Sequence, residues 1–363
     1  MQPPVRYATD IEVPAKDEAE TIKGLLDALH GILEITSESY GHAVRSVHAK
    51  SHGLIAVQFE VLPDLPSELA QGIFAHPGTF DAILRISTNP GDILPDSISL
   101  PRGIALKVTG VEGERLPAAT DGRTQDFVMV NGPSFDAKDA ASFLKSLQLV
   151  ARTTDRATWA KVALSAVLRG TEKALEAVGG ESATLKGLGG ARNVHPLGET
   201  YFSQTAFRHG DYIAKYQIVP VSPQLVKFTG VEIDARGEPD AIRHVVDADM
   251  AGGGTWEFRV QLCRDVQAMP VEDASVLWSE DQSPFQTVAR LHAAPQRGWS
   301  DARAAIVDET MRFTVWTGLE AHRPLGAINR VRQATYDMSA EFRQTFNRCP
   351  IHEPAKIDLG EGQ

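Results

Sequence analysis

Arg332, Tyr336 and Arg343 stand at offsets of 0, 4 and 11 in the run HRPLGAINRVRQATYDMSAEFR near the C-terminus. At about 100° per residue, a helix places all three within roughly 40° of one another on one face. A tyrosine ligates ferric haem iron only as phenolate, and its ordinary pKa is about 10. A guanidinium one turn away would hold that phenolate at neutral pH by charge and hydrogen bond. The second arginine, about 10 Å further along the axis, would reach a carboxylate such as a haem propionate. The plainer reading of these residues alone is an arginine–tyrosine stack on a surface helix, since cation–π pairs are common. A second group lies in RSVHAKSHGLIAVQFEV, where His48 and His52 precede an alternating apolar run. Before a strand the two would stand about 13 Å apart, too far to share a metal. His52 reads as a loop histidine at a pocket rim. His48, as a neutral imidazole, could take a proton and return it; a satisfied structural histidine is the ordinary alternative. His322 is expected to pack or cap. The remaining histidines show neither H-x-x-x-H nor H-E-x-x-H spacing, so no non-haem metal site is expected.

Something must position these groups. Residues 18–33 space Ile22, Leu25, Leu26, Leu29 and Ile32 as an amphipathic helix. Short alternating or apolar runs bounded by Gly, Pro, Asn or Asp predict strands at 54–61, 82–88, 103–110, 126–132, 211–221, 224–234, 255–263 and 284–294. Helix is expected over 137–168, with a Gly-rich connector at 179–190, and again after Gly326. About eight strands broken by one helical excursion predict an α+β chain: an antiparallel barrel with helices packed outside. The chain divides into an N-terminal arm and helix (1–44), a barrel (45–310) with a helical insertion near 137–190, the tyrosine helix region (311–350) and a loose polar tail (351–363).

The 363 residues allow a well-buried core, and a net charge of −11 with a pI near 5.5 would repel phosphate backbones and anionic lipid. Nucleic acid and membrane surfaces are therefore not expected partners. Two cysteines, Cys263 and Cys349, give no metal-type spacing and fit a reducing compartment. No signal-type or membrane-spanning apolar run is visible, so a cytoplasmic protein is expected.

The motifs together resemble those of the haem catalase superfamily. R-x-x-x-Y followed seven residues later by Arg resembles its proximal helix, and RSVHAK with its glycine and FEV resembles its distal strand. RISTNPGD, PRGIALKV and VNGPSF resemble three further catalase segments, and all occur in the family's order between Arg45 and Arg343. The chain ends soon after the proximal helix, which is similar to short catalase-like peroxidases without a C-terminal extension.

The resemblance implies haem b as cofactor, ligated through Tyr336 with Arg332 beside it. Arg45, Arg85 and Arg343 are implied to meet its propionates, and Phe135 and Phe143 to line its pocket. It makes His48 the distal base, Ser87 the serine that fixes its tautomer, and Val47 the residue that crowds the iron. A relative that dehydrates fatty-acid hydroperoxides carries threonine at that last position. Asn131 is taken as the amide that holds the peroxide, although the family's asparagine stands one residue earlier, where this chain has Val130. Asp136 replaces the second phenylalanine of the pocket pair.

The implied function is decomposition of hydrogen peroxide or organic hydroperoxides through a ferryl intermediate, in a homo-oligomer. A hydroperoxide isomerase or dehydratase, and a non-catalytic haem-binding barrel, are the competing readings.

Overall fold

The computed structural model describes residues 2–119, 122–151 and 191–360. Nine strands form one antiparallel sheet: β1 (Ser51–Val61), β2 (Gly78–Thr88), β3 (Arg102–Thr109), β4 (Thr124–Val130), β5 (Tyr201–Phe202), β6 (Phe207–His209), β7 (Tyr212–Pro220), β8 (Gly254–Leu262) and β9 (Gln286–Ala293). They run β5-β4-β3-β2-β1-β9-β8-β7-β6, and a β5–β7 pairing closes eight of them into a barrel, with β6 a hairpin arm on β7. Closure leaves no open sheet edge around the ring.

The period of two sets which residues enter the barrel. Ile55, Val57 and Phe59 from β1, Leu84 and Ile86 from β2, and Ile104 and Leu106 from β3 point inward with Phe127, Tyr216 and Phe258. The interior is filled: Phe127 and Phe258 stand 4.8 Å apart in an edge-on contact, and Phe74 packs 5.5 Å from Phe258. His322 belongs to this core. Its Nε2 accepts from the Ile73 N–H at 3.0 Å, and its Nδ1 lies 3.0 Å from the Tyr216 hydroxyl. A barrel of this size packed with side chains leaves no room for a large ligand inside it.

Helices cover the outside: α1 (Glu18–Tyr40), α2 (Ala140–Ala151), the single turn α3 (Pro223–Val226), α4 (Ala241–Asp249), α5 (Asp301–Thr310) and α6 (Ala327–Asn347). Leu25, Leu29 and Ile32 of α1 pack on Ala327 and Val331 of α6 and Leu147 of α2. Gly41, with φ +64°, ends α1 seven residues beyond the apolar stripe that marks it in the sequence. Carboxylates cap the start of α6: Glu12 accepts from the Gly326 N–H at 2.8 Å and Glu272 from that of Ala327 at 2.9 Å. Both complement the positive end of the helix dipole. Among the described residues, no helix is long and apolar enough to cross a membrane.

Two expectations need correction. Residues 224–234 form no strand: the Ser222–Pro223 step starts the short α3, Leu225 is buried, and Gly230 at φ +71° turns the chain. The eighth strand is instead β5, two residues long, which pairs Val130 with Phe202 and Phe202 with Gln217. The tail is not loose over 351–360. Glu353 accepts from Thr124 at 2.8 Å and meets Arg312 and buried Lys107, while Leu359 packs with Leu54, Ile83 and Val307. The expected helix over 152–168 and the connector at 179–190 lie outside the described residues.

Candidate active site

His48 sits in the bend ahead of β1. Its N–H donates to the Asn89 carbonyl at 2.8 Å, and that of Ala49 to Pro90 at 3.0 Å. These bonds hold His48 at φ +53°, in the left-handed region. The ring is thereby laid on the outer face of β2 and β3, with Nδ1 3.1 Å from Ser87 Oγ. It covers Gly103 so closely that a Cβ there would stand 2.4 Å from His48 Cε1. A proton on Nδ1, donated to Ser87, leaves the Nε2 lone pair free. Burial, with like charge from Arg85, Arg332 and Arg45, pulls this imidazole down to about 3. It is a neutral base at any ordinary pH.

Opposite stands α6. Tyr336, Ser339, Ala340 and Arg343 share a cavity of about 640 Å³ with His48 and Ser87, open to solvent and lying outside the barrel. Val47, Ala105, Val128 and Phe313 supply apolar wall.

Three arginines meet at one end. Arg45 and Arg85 both donate to Asp308 Oδ1, at 2.8 and 2.7 Å, and Ser51 donates to Oδ2 at 2.6 Å. Arg343 donates to the backbone carbonyls of Asp308 and Met311 at the end of α5, at 2.7 and 3.3 Å. Burial alone would raise the Asp308 carboxyl, but Arg85 and Arg45 hold it down to about 2. Arg45 and Arg343 are in turn lowered, Arg343 to about 10, by burial and by Arg85 beside them. Asp308 pairs with Arg45 and Arg85, Glu309 adds its charge at longer range, and Arg343 makes no ion pair among the described residues, with its Nε buried and without a hydrogen-bond partner. This end of the cavity is short of negative charge and of one acceptor.

The other expected residues divide. Val47 lines the cavity and packs with Phe143 of α2, whose ring meets Phe135 edge-on at 5.3 Å. Arg332 points toward this aromatic pair: its guanidinium is 3.2 Å from Asn329 Oδ1 and 5.7 Å from the Phe135 ring centre. Arg332, Phe135 and Phe143 thus border the site without lining the cavity. Asn131 is turned away from it. Its Oδ1 accepts from the Arg102 N–H at 2.8 Å and its Nδ2 donates to Glu199 at 2.9 Å. Gly103, which supports His48, pairs with Val130, so Val130 and not Asn131 shares the outer face. Successive strand residues alternate faces, and the one-residue offset in the sequence is therefore real.

His52 is no rim histidine. A register shift between Ser51 and Gly53 sends it into the protein, fully buried, with Nε2 3.2 Å from Thr88 Oγ1 and Nδ1 without a hydrogen bond. Burial, with Arg102 and Lys50, lowers its imidazole well below the ordinary value. Gly103 and Asp308 were not anticipated. Gly103 carries a signal in the RG pair that opens β3; Asp308 has none, since α5 shows no amphipathic stripe.

No family model matches the chain, and no curated protein matches it in sequence. Solved structures do match in shape. Catalase A from Saccharomyces cerevisiae superposes with a TM-score of 0.58 at 18% identity, over 90% of this chain and 67% of that one. A fungal catalase gives 0.59 at 16% identity, over 89% of this chain and 65% of its own. The chain thus spans about two thirds of the length of these catalases. At such identity the likeness speaks for architecture alone, and the architecture of this chain is the catalase-type α+β fold: a closed eight-stranded antiparallel barrel with its helices outside.

Proposed function

We propose that the chain is a haem-dependent enzyme that decomposes peroxides, with organic hydroperoxides among its substrates. The observation that carries this is one cavity in which a serine-held neutral histidine faces the tyrosine and arginine side chains of a single helix. The donor set suits haem. Arg343 has an unused buried N–H and no ion-pair partner among the described residues, beside Arg45 and Arg85 on the shared Asp308, an arrangement that haem propionates would complete. Tyr336 lines the same cavity and would hold the iron of such a group through its phenolic oxygen. When bound, haem would supply an iron centre able to accept oxidising equivalents from a peroxide.

The chain's own residues do the proton work. His48 Nε2 takes the proton from one peroxide oxygen and hands it to the other, so that water or an alcohol leaves. Its low pKa keeps it in the base form, and Ser87 fixes which nitrogen is free. With Asn131 turned to Glu199, no amide from that position holds the second oxygen. Val47, Val128 and Phe313 offer that oxygen's substituent an apolar wall instead, which favours an alkyl group.

Reconstitution with haemin tests the reading. A high-spin ferric spectrum with phenolate character is expected, and Tyr336→Phe is expected to abolish it. His48→Ala should keep the haem and slow cumene hydroperoxide turnover by about 100-fold or more. Unchanged turnover in His48→Ala would refute this assignment.

A further inference from the structure

A second cavity, sharing no lining residue with the first, opens between the outer faces of β7 and β8 and residues 277–285. Together with its open mouth it takes in about 1050 Å³ of empty space. At its wall lies Lys215, only 4% exposed. The ammonium donates to the Val276 carbonyl at 3.2 Å and sits 4.8 Å from the Trp278 ring centre. Among the described residues these are its contacts, and no carboxylate stands within ion-pair distance. An ammonium has three donors, so two are left to face the cavity. A buried cation without a counter-ion is costly, and it is the kind of group that an anionic ligand stabilises.

The surroundings narrow the ligand. Phe202 and Phe285, with ring centres 6.0 Å apart, line the space with Trp278 and Leu277, the last of these 61% exposed. Gln261, paired with Lys215 across the strands, spends its Nε2 on the Trp278 and Ser283 carbonyls. The exposed rim carries Glu280 and Asp281, whose charge disfavours phosphates and other polyanions. We infer that this cavity binds a monocarboxylate with an apolar body, its carboxylate on Lys215 and its chain against Phe202, Phe285 and Leu277.

The charge relations give the site a pH signature. Burial lowers the Lys215 ammonium to about 8, offset in part by Asp273 and Cys263. Burial raises the Cys263 thiol to about 11, above the Lys215 value, and the Asp273 carboxylate accepts from the Ser275 N–H and hydroxyl at 3.0 and 2.6 Å. Carboxylate affinity should therefore be full below about pH 7 and fall as pH rises past 8, as the ammonium is lost.

Calorimetric titration of the full chain with decanoate, at about pH 6.5 and 9.5, tests this. The wild type should bind at least about tenfold more tightly at the lower pH, the worth of one charge-assisted contact. Lys215→Met should lose that tenfold and the pH dependence while binding decanol as the wild type does. Leu277→Asp, a surface change that leaves the barrel intact, should weaken both ligands. Equal decanoate binding by wild type and Lys215→Met would overturn the inference, as would equal binding by wild type and Leu277→Asp. Loss in Arg45→Met with retention in Lys215→Met would place the ligand in the first cavity and overturn it too.

Discussion

His48 leaves its backbone in the left-handed region, and its ring rests on a residue that has no side chain. The position is thus held by contact as much as by hydrogen bonds. Gly103→Ala should keep the barrel and the haem but push the imidazole off Ser87, because the new methyl has 2.4 Å where it needs well over 3 Å. Steady-state turnover of an alkyl hydroperoxide should fall about 10- to 100-fold, the worth of a misplaced general base. The low pKa of His48 makes a second prediction at this scale. On the proposed function the active form is the neutral one, and it is lost only as pH falls toward about 3. A plot of kcat/KM against pH should be flat between about pH 5 and 8; a limb near the ordinary histidine value of about 6.5 would mean that the ring is solvated. That His48, Ser87, Tyr336 and Arg343 share one cavity was readable from sequence, because each sits in a short run whose residue types make joint chemical sense. Asn131 was misread because a strand offset of one residue is invisible in composition but reverses the face.

At the scale of elements, β2 and β3 are buried on both faces over most of their length, which explains why AILRIST and GIALKV show no clean alternation of apolar and polar residues. What covers their outer faces was harder to read. The α5 helix has no apolar stripe, yet it brings Asp308 to Arg45 and Arg85 and seats Val307 on Leu54 and Ile83. Asp308→Asn would leave two buried guanidiniums without their carboxylate and should cost about 3 kcal/mol in the haem-free protein. The sign of the pH dependence follows from the depressed carboxyl. Its contribution is present above the unfolded value of about 3.9 and is lost as pH falls through about 2. Melting curves of wild type and Asp308→Asn should therefore be far apart at pH 7 and converge in acid. The misassigned strand at 224–234 and the missed β5 share one cause: two residues give no period, whereas an eleven-residue run with a buried leucine imitates one.

At the scale of the whole molecule, the described tail fastens the barrel from outside. Glu353 joins Lys107 and Asp126, both fully buried, and Leu359 closes an apolar patch over β1 and β2. A chain stopped at Pro350 should fold but lose about 2–4 kcal/mol, the worth of one buried charge partner and one leucine. Calorimetric melting would measure it. Arg312, which the loss also releases, lines the first cavity, so haem affinity should drop with stability. Composition marks these residues only as a short polar end, since one glutamate and one leucine make no pattern.

The same closure sets a timetable. β1 finds β2 within a few tens of residues, but its other edge waits for β9, where Gln58 meets His292 about 230 residues later. At roughly 5–20 residues per second of synthesis, that edge stays unpaired for roughly 10–50 s. During that time Phe59 and Val61 have only part of their final surroundings, and an open edge strand is a template for pairing with another chain. Translation, more than heat, is the moment at which this barrel is exposed to aggregation.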